Sequence, residues 1–335
     1  MKACVLEGIN NLVYKEVSTP VPKACEVLLK IKACGICSSD FSRVFHTGTY
    51  NFPTVLGHEI AGEIVQVGLN VDTNLIGCRA VVFPLLPCQK CHQCTQGNYA
   101  LCSNYNYFGS RCDGGFAEYL SVPLWNIRIF DDDIPYEIAA LVEPAAVAWH
   151  AVAKARIQPN ETVFISGSGT IAILCGIWAR NQGADVYLTV RNDEKAELLS
   201  REWSLKSINI GRADDVSLNR PDVVIECVGT PESIQASLEF AKTTGRVVLV
   251  GNPSENINFN KSLYWKILRS ELTVVGVWNS IYPNEWESVL TQLSYRVKEF
   301  TPLITHKFPL SDGLNAFKYL VNNKGKLLKA VFTNE

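Results

Sequence analysis

The sequence predicts an α/β protein in two parts, one strand-rich and the other a doubly wound parallel sheet. Three observations predict it. The chain has 335 residues, more than one ordinary core accommodates. Its first third alternates short β-type runs with Gly and Pro, as in "EVLLKIKACGIC" and "EIAGEIVQVG". Near residue 150 the style changes, and from "ETVFISGSGTIAILCGIWARNQGADVYLTV" onward apolar strands alternate with helical segments.

Within the second part, Thr162–Ser166 reads as a buried strand and Thr170–Gln182 as a helix. Val186–Val190 is the next strand and Asp193–Trp203 the next helix. "DVVIECVG" and "GRVVLVG" supply two more strands. Around residue 280 the chain returns to loops, with "WNSIYPNEW", and it ends in a helix followed by a strand. No internal repeat or low-complexity segment interrupts this order.

Composition narrows the functional classes. Hydrophobic residues make up 47% and charged residues 19%, an ordinary globular balance. A net charge of −2 gives no reason to invoke nucleic acid or an anionic membrane. No apolar run reads as the ~20 residues that span a bilayer, and "MKACVLEGIN" carries no secretory pattern. A chain of this length scarcely needs crosslinks, so its twelve cysteines point to a reducing, cytoplasmic setting.

Four of those cysteines crowd into "PCQKCHQCTQGNYALC". Cys88, Cys91, Cys94 and Cys102 follow the spacing C-x2-C-x2-C-x7-C, which suits a closed tetrahedral zinc. A closed site has no room for substrate, so its expected role is structural. His92 inside the cluster reads as a solvated turn residue. A second donor set is scattered: Cys37 in "CGICSSD", His58 and Glu59 in "GHE", and Glu143 in "LVEPAAVAWH". Sulfur, imidazole and carboxylate together make the mixed set of an open, catalytic zinc. Taken singly, each also fits a bland role: a buried thiol, a turn histidine, an acid at a helix start.

"FISGSGTIA" carries a dinucleotide fingerprint. Gly167 and Gly169 follow an apolar strand, Thr170 and Ile171 open a helix, and the G-x-G-x-x-A pattern ends at Ala172. Glycine admits a pyrophosphate to the backbone, and the helix N-terminus attracts its charge. The acid that usually binds the ribose 2′-OH is absent. Val190 stands in its place, with Arg191 next. A cation without the carboxylate suits a 2′-phosphate, so NADP is favoured over NAD, although Arg191 also fits a solvated loop and Asp193 could still reach the ribose.

These pieces together resemble the zinc-containing medium-chain dehydrogenase/reductase family, in its polyol and polyol-phosphate dehydrogenase branch. The motifs run in the family's order, from "CGICSSD" through "GHEIAGEIVQVG", the four-cysteine lobe and "DGGFAEY" to "GSGTIA". The resemblance implies a GroES-like catalytic domain over residues 1–150 with the structural-zinc lobe, a Rossmann domain over 151–283, and a segment over 284–335 that completes the catalytic domain. It also implies that Cys37, His58 and Glu143 hold the catalytic zinc, with Glu59 as an exchanging ligand. Ser39 matches the hydroxyl that passes protons to and from the alcohol. The turn "GCRA" at Gly77–Ala80 departs from the family's usual pattern.

The implied reaction is reversible oxidation of a secondary alcohol of a polyol or polyol phosphate, with hydride passing to the nicotinamide. His46, Tyr50, Arg111 and Glu118 are substrate candidates by position, and Arg43, His46 or Arg111 could meet a phosphate. The late run "ELTVVGVW" suggests strand pairing across a two-fold axis, hence a homodimer or a tetramer built from it. Other readings are an NADPH-dependent ketose or ketose-phosphate reductase, an amino-cyclitol dehydrogenase, and a zinc-stabilised nucleotide-binding protein without turnover.

Overall fold

A computed structural model describes residues 1–209, 220–323, 325 and 327–334. The chain forms two compact units: Met1–Glu143 together with Ile281–Glu335, and Pro144–Ser280. The joints thus lie a few residues before the expected 150/151 and 283/284. The change of style near 150 marks where the second unit's first strand approaches, whereas the helix leading to it, Val142–Ala155, already crosses the joint.

The first unit is built on a seven-stranded sheet among the described residues. Its spatial order is Ile127–Ile129, Arg79–Val82, Glu59–Val67, Glu26–Ile36, Lys329–Thr333 and Ile304–Pro309, with Tyr119–Pro123 also paired to Glu26–Ile36. The central strand is apolar almost throughout because neighbours cover both its faces. Leu29, Ile31, Cys34, Ile60, Ile64, Phe116, Phe317 and Phe332 pack into one core with it. Two of these, Phe317 and Phe332, come from the C-terminal segment. The Phe317 ring meets Phe41 edge-on at 5.1 Å, which seats the short helix Ser38–Ser42 on the core. The chain runs out between the paired strands Leu85–Leu86 and Asn106–Tyr107, and all four clustered cysteines lie in that excursion.

Beyond the loop expected around residue 280 lies the helix Asn284–Phe300, which the sequence reading left unassigned. Its buried residues Trp286, Val289, Leu290 and Leu293 fall on one helical stripe, diluted in sequence by the polar residues between them. The Arg79 guanidinium lies over the rings of Phe130 and Tyr136, at 4.8 and 4.0 Å.

The second unit is a six-stranded parallel sheet among the described residues. Its order is Lys206–Asn209, Asp185–Val190, Thr162–Ser166, Val223–Glu226, Arg246–Leu249 and Thr273–Gly276. Numbered along the chain this is 3-2-1-4-5-6, the dinucleotide-binding order, whose ligands lie outside the carboxyl ends of the strands. Thr273–Gly276 is an edge strand with largely exposed side chains.

Among the described residues no clear membrane span stands against the sequence reading, although one core helix passes a length-and-composition test. The helical run Tyr136–Ala155 is long and apolar enough, by length and composition, to cross a membrane. It straddles the boundary between loop-like and helical sequence, so no single run announced it. Its apolar window is 78% buried inside the protein, which is where a core helix belongs.

Candidate metal centre and cofactor cradle

The sulfur atoms of Cys88, Cys91, Cys94 and Cys102 all lie within 4.8 Å of one another. The closest pairs are Cys91–Cys94 at 3.5 Å, Cys91–Cys102 at 3.9 Å and Cys88–Cys94 at 4.0 Å. A tetrahedron with zinc–sulfur bonds of about 2.3 Å has edges of about 3.8 Å, so the four thiols fit that ion. The Cys88 backbone N–H donates to Cys102 Sγ at 3.3 Å, and backbone N–H groups foremost lower the Cys91 thiol to about 6. Burial foremost, and then neighbouring thiols, push Cys94 up to about 12, so four thiolates together require a cation. His92 is exposed and outside the cluster, as the sequence reading has it.

The mixed donor set is assembled by three strands of the large sheet. Cys37 follows the strand Glu26–Ile36 and caps the helix Ser38–Ser42, its backbone N–H donating to Asp40 Oδ2 at 3.0 Å. Glu59 opens the strand Glu59–Val67 opposite Gly35. Gly35 must be glycine, because a Cβ there would fall inside the Glu59 carboxylate. Gly57, at φ +92°, turns the chain into His58, and a Cβ on it would press on Phe116 and Cys34. From the third strand, Lys329 donates to both Glu59 carboxylate oxygens, at 2.6 and 2.8 Å, and to the Ile36 carbonyl at 3.3 Å.

Ligand atoms of Cys37, His58 and Glu59 lie within 4.8 Å of one another. Glu143 falls outside that group but is close enough to act on it. Its buried carboxylate accepts the Tyr107 hydroxyl at 3.4 Å, and its charge favours a proton on His58. His58 Nδ1 is buried with no hydrogen-bond partner, 3.6 Å from Asp40 Oδ1. A donor set of sulfur, imidazole and carboxylate whose ligand atoms lie this close fits a zinc ion.

The electrostatics agree. Burial works against a charged His58, but Asp40 foremost and then Cys37 and Glu143 outweigh it, and its pKa rises to about 10. Burial raises the Cys37 thiol, yet its hydrogen bond with His58 and that ring's charge bring it below its ordinary value. Burial and then Glu59 outweigh His58 at Glu143, which rises to about 7. The pocket thus holds more negative potential than its own cations answer.

Other candidates separate by position. Ser39 is half-buried beside Cys37 and accepts a hydrogen bond from Arg43 Nη1 at 2.9 Å. The same Arg43 nitrogen donates to Asp40 Oδ1 at 3.0 Å, so this guanidinium is engaged within the pocket wall. His46 is exposed. Arg111 and Tyr50 meet, with Nη2 donating to the tyrosine hydroxyl at 3.3 Å. Glu118 lies elsewhere. Its Oε2 accepts the Lys2 backbone N–H at 2.7 Å, and the residue lines a separate cavity of about 400 Å³ with Tyr14 and Lys30.

In the second unit, Gly167 has φ +114° and donates its N–H to Thr189 Oγ1 at 2.7 Å. Gly169 caps the helix Thr170–Asn181, and nothing lies within 4 Å of where its Cβ would be. Open space over a helix N-terminus is the cradle a pyrophosphate needs. Thr170 and Ile171 begin that helix. Val190 is buried, and Arg191 is exposed at the end of its strand. Sequence reading passed over Glu226. Its buried Oε1 accepts the Val228 and Gly229 N–H groups at 2.8 and 2.9 Å, which fixes the turn beside Gly167.

Two family models match this chain: alcohol dehydrogenase GroES-like domain over residues 23–130, and zinc-binding dehydrogenase over residues 170–294. Galactitol 1-phosphate 5-dehydrogenase of Escherichia coli K12 is 34% identical over 319 residues, covering 90% of this chain and 92% of that protein. The chain belongs to the zinc-containing medium-chain dehydrogenase/reductase family. The crystal structure of galactitol-1-phosphate dehydrogenase from Escherichia coli superposes with a TM-score of 0.92 at 32% identity over 100% of both chains. A zinc-binding dehydrogenase from Sinorhizobium meliloti 1021, solved bound to NADP, superposes at 0.90 and 28% identity over 99% of each. The protein is therefore an oxidoreductase of the polyol and alcohol dehydrogenase branch.

Within this medium-chain dehydrogenase, Lys329 is the site residue that no motif announced. Removing one partner of a buried ion pair leaves the other charge uncompensated. Lys329→Met should cost about 3–5 kcal/mol, and adding Glu59→Gln should recover most of it. Thermal unfolding of the wild type and the two variants checks this. A double variant no more stable than Lys329→Met alone would exclude the pair as the cause.

Proposed function

We propose that the protein oxidises, reversibly, one secondary alcohol of a polyol or polyol phosphate to the ketone. The observation that carries this reading is the buried convergence of Cys37, His58 and Glu59 beside Glu143, next to the half-buried Ser39. Cys37 and His58, with Glu143 as third ligand and Glu59 in exchange, would hold a zinc ion, and bound zinc supplies Lewis acidity that makes an alcohol proton easier to lose. A bound nicotinamide would supply the hydride acceptor, and the chain's own part is positioning.

The chain's own groups prepare the proton transfer. Ser39 Oγ already accepts from Arg43, so its hydroxyl hydrogen is free to pass to solvent while the oxygen takes a proton from the substrate. Asp40 stands behind the His58 ring and holds the Cys37 backbone N–H, keeping both donors aimed inward. Lys329 holds Glu59 in place from the C-terminal strand. A second zinc in the four-cysteine lobe is structural, because four thiolates close its coordination.

NADP is the preferred cofactor in this reading. Val190 offers no acceptor to a ribose hydroxyl, and exposed Arg191 can pair with a 2′-phosphate. The chain is a homodimer, joined along the unpaired edge of Thr273–Gly276, where Val274 and nearby Trp278 are 41% and 54% exposed. All twelve cysteines are free thiols, in keeping with a reducing, cytoplasmic setting.

Metal analysis should find two zincs per chain. Cys37→Ser should keep the lobe's zinc and lose roughly 10³-fold in kcat/KM; full activity with one zinc would refute the open site. Arg191→Ala should raise the KM for NADP+ by ~10–100-fold, the worth of a charge-assisted hydrogen bond, with little change for NAD+. If wild-type enzyme turned over faster with NAD+ on every active polyol, the cofactor assignment would fall. Light scattering should report twice the chain mass, and a single-chain mass would dismiss the edge-strand dimer.

A further inference from the structure

The Arg111 guanidinium lies against two tyrosine rings. Its guanidinium carbon lies 4.2 Å from the Tyr50 ring centroid and 4.4 Å from that of Tyr105. Cation–π contacts of this kind restrain the group and leave its other N–H donors available. A guanidinium has five N–H donors. One of these donors meets the Tyr50 hydroxyl at 3.3 Å, and no carboxylate lies within 4.0 Å among the described residues. Arg79 and Arg128, also stacked on aromatic rings, each have a carboxylate partner, Asp132 and Glu287. Arg111 is thus a rigid, half-buried cation whose counter-charge the described part of the chain does not supply.

Its position ties it to the metal centre. The Arg111 backbone N–H donates to the Tyr107 carbonyl at 3.0 Å, so the two residues are the ends of one turn. Tyr107 faces the centre: its ring lies 5.7 Å from that of His58, and its hydroxyl donates to Glu143. Tyr50 is bound to the same turn through its N–H, which donates to the Ser110 carbonyl at 3.3 Å. A substrate whose reacting carbon sits at the metal centre can therefore carry an anion several bonds away to this guanidinium.

We propose that Arg111, with the Tyr50 hydroxyl, grips a phosphate monoester at the far end of the polyol chain and makes the enzyme select phosphorylated substrates. The proposal rests on the dehydrogenase reading of the site. The chemistry favours phosphate over carboxylate. The Tyr50 oxygen accepts from Arg111, so its own hydrogen remains to donate. Two guanidinium N–H groups and one phenolic O–H make three donors, matched to the three terminal oxygens of a phosphate monoester. A carboxylate has two oxygens and would leave one donor without its own.

The test compares galactitol 1-phosphate with galactitol as substrates for wild type, Arg111→Gln and Arg111→Lys. The ratio of kcat/KM for the phosphorylated over the plain polyol should fall about 100-fold in Arg111→Gln, chiefly through KM. Arg111→Lys should recover only part of it, because an ammonium lacks the planar fork. Inorganic phosphate should compete with galactitol in wild type and lose that effect in Arg111→Gln. An unchanged ratio in both variants, an equal loss on both substrates, or a change confined to nucleotide KM would overturn the proposal. A folding defect is read separately from circular dichroism and Tm, and Arg111→Lys then decides. If wild type turns over neither substrate, the dehydrogenase reading loses its substrate class. The grip is then judged by calorimetric binding of galactitol 1-phosphate, where equal affinity in wild type and Arg111→Gln overturns it.

Discussion

The buried pair between Glu59 and Lys329 is the contact around which the catalytic unit is organised. It joins residues 270 positions apart, so the C-terminal strand must be in place before the Glu59 carboxylate is held. The pairing register makes this geometry compulsory. Gly35 stands opposite Glu59, and Ala330 stands opposite Ile36, so Lys329 arrives alongside the carboxylate that Gly35 has made room for. A lone buried ammonium or carboxylate is costly, and each is stable here because of the other. The GroES-like unit consequently cannot be completed by its N-terminal part alone, which accounts for a catalytic unit interrupted by a second one.

Charge explains the rest of the pocket. Cys37, Asp40, Glu59 and Glu143 are four potential anions, and Arg43 and Lys329 are two cations placed among them. A divalent ion with a neutral His58 closes that balance. Asp40 foremost outweighs burial and raises His58 to about 10, while burial foremost raises Glu143 to about 7. Within the donor set, the groups displaced toward holding a proton are His58 and Glu143, which family resemblance places on the metal. The pull on a cation is therefore a property of the whole constellation and not of any one ligand.

Much of this was legible in sequence, for identifiable reasons. Cys88 to Cys102 lie within fifteen positions, so turn geometry alone confines their sulfurs, and spacing reads as structure. The strand–Gly167–Gly169–helix run is equally local. Its 3-2-1-4-5-6 sheet follows from alternating apolar strands and helices. Asp40 was within reach of the same logic, since an acid three residues after Cys37 is a capping position. Lys329 was not. One lysine in "GKLLKAVF" carries no local mark of its partner, and burial of an ammonium is decided only by tertiary pairing. The helix Asn284–Phe300 was hidden differently, because its buried stripe is spread among glutamates, serines and threonines that dilute the periodicity.

The two arginines near the pocket show why position in sequence could not rank them as anion binders. Arg43 and Arg111 both lay within range of a phosphate on paper. The fold commits Arg43 to Ser39 and Asp40, so its donors serve the proton path and the wall behind His58. Arg111 is instead restrained by the rings of Tyr50 and Tyr105, and a single phenol accepts from it. A surface arginine with a free edge would be flexible and well hydrated, and ordering it would cost entropy on binding. Stacking removes much of that cost in advance. The same side chain thus becomes either part of the scaffold or a preorganised site, depending on whether the fold supplies its acceptors or only aromatic rings against it.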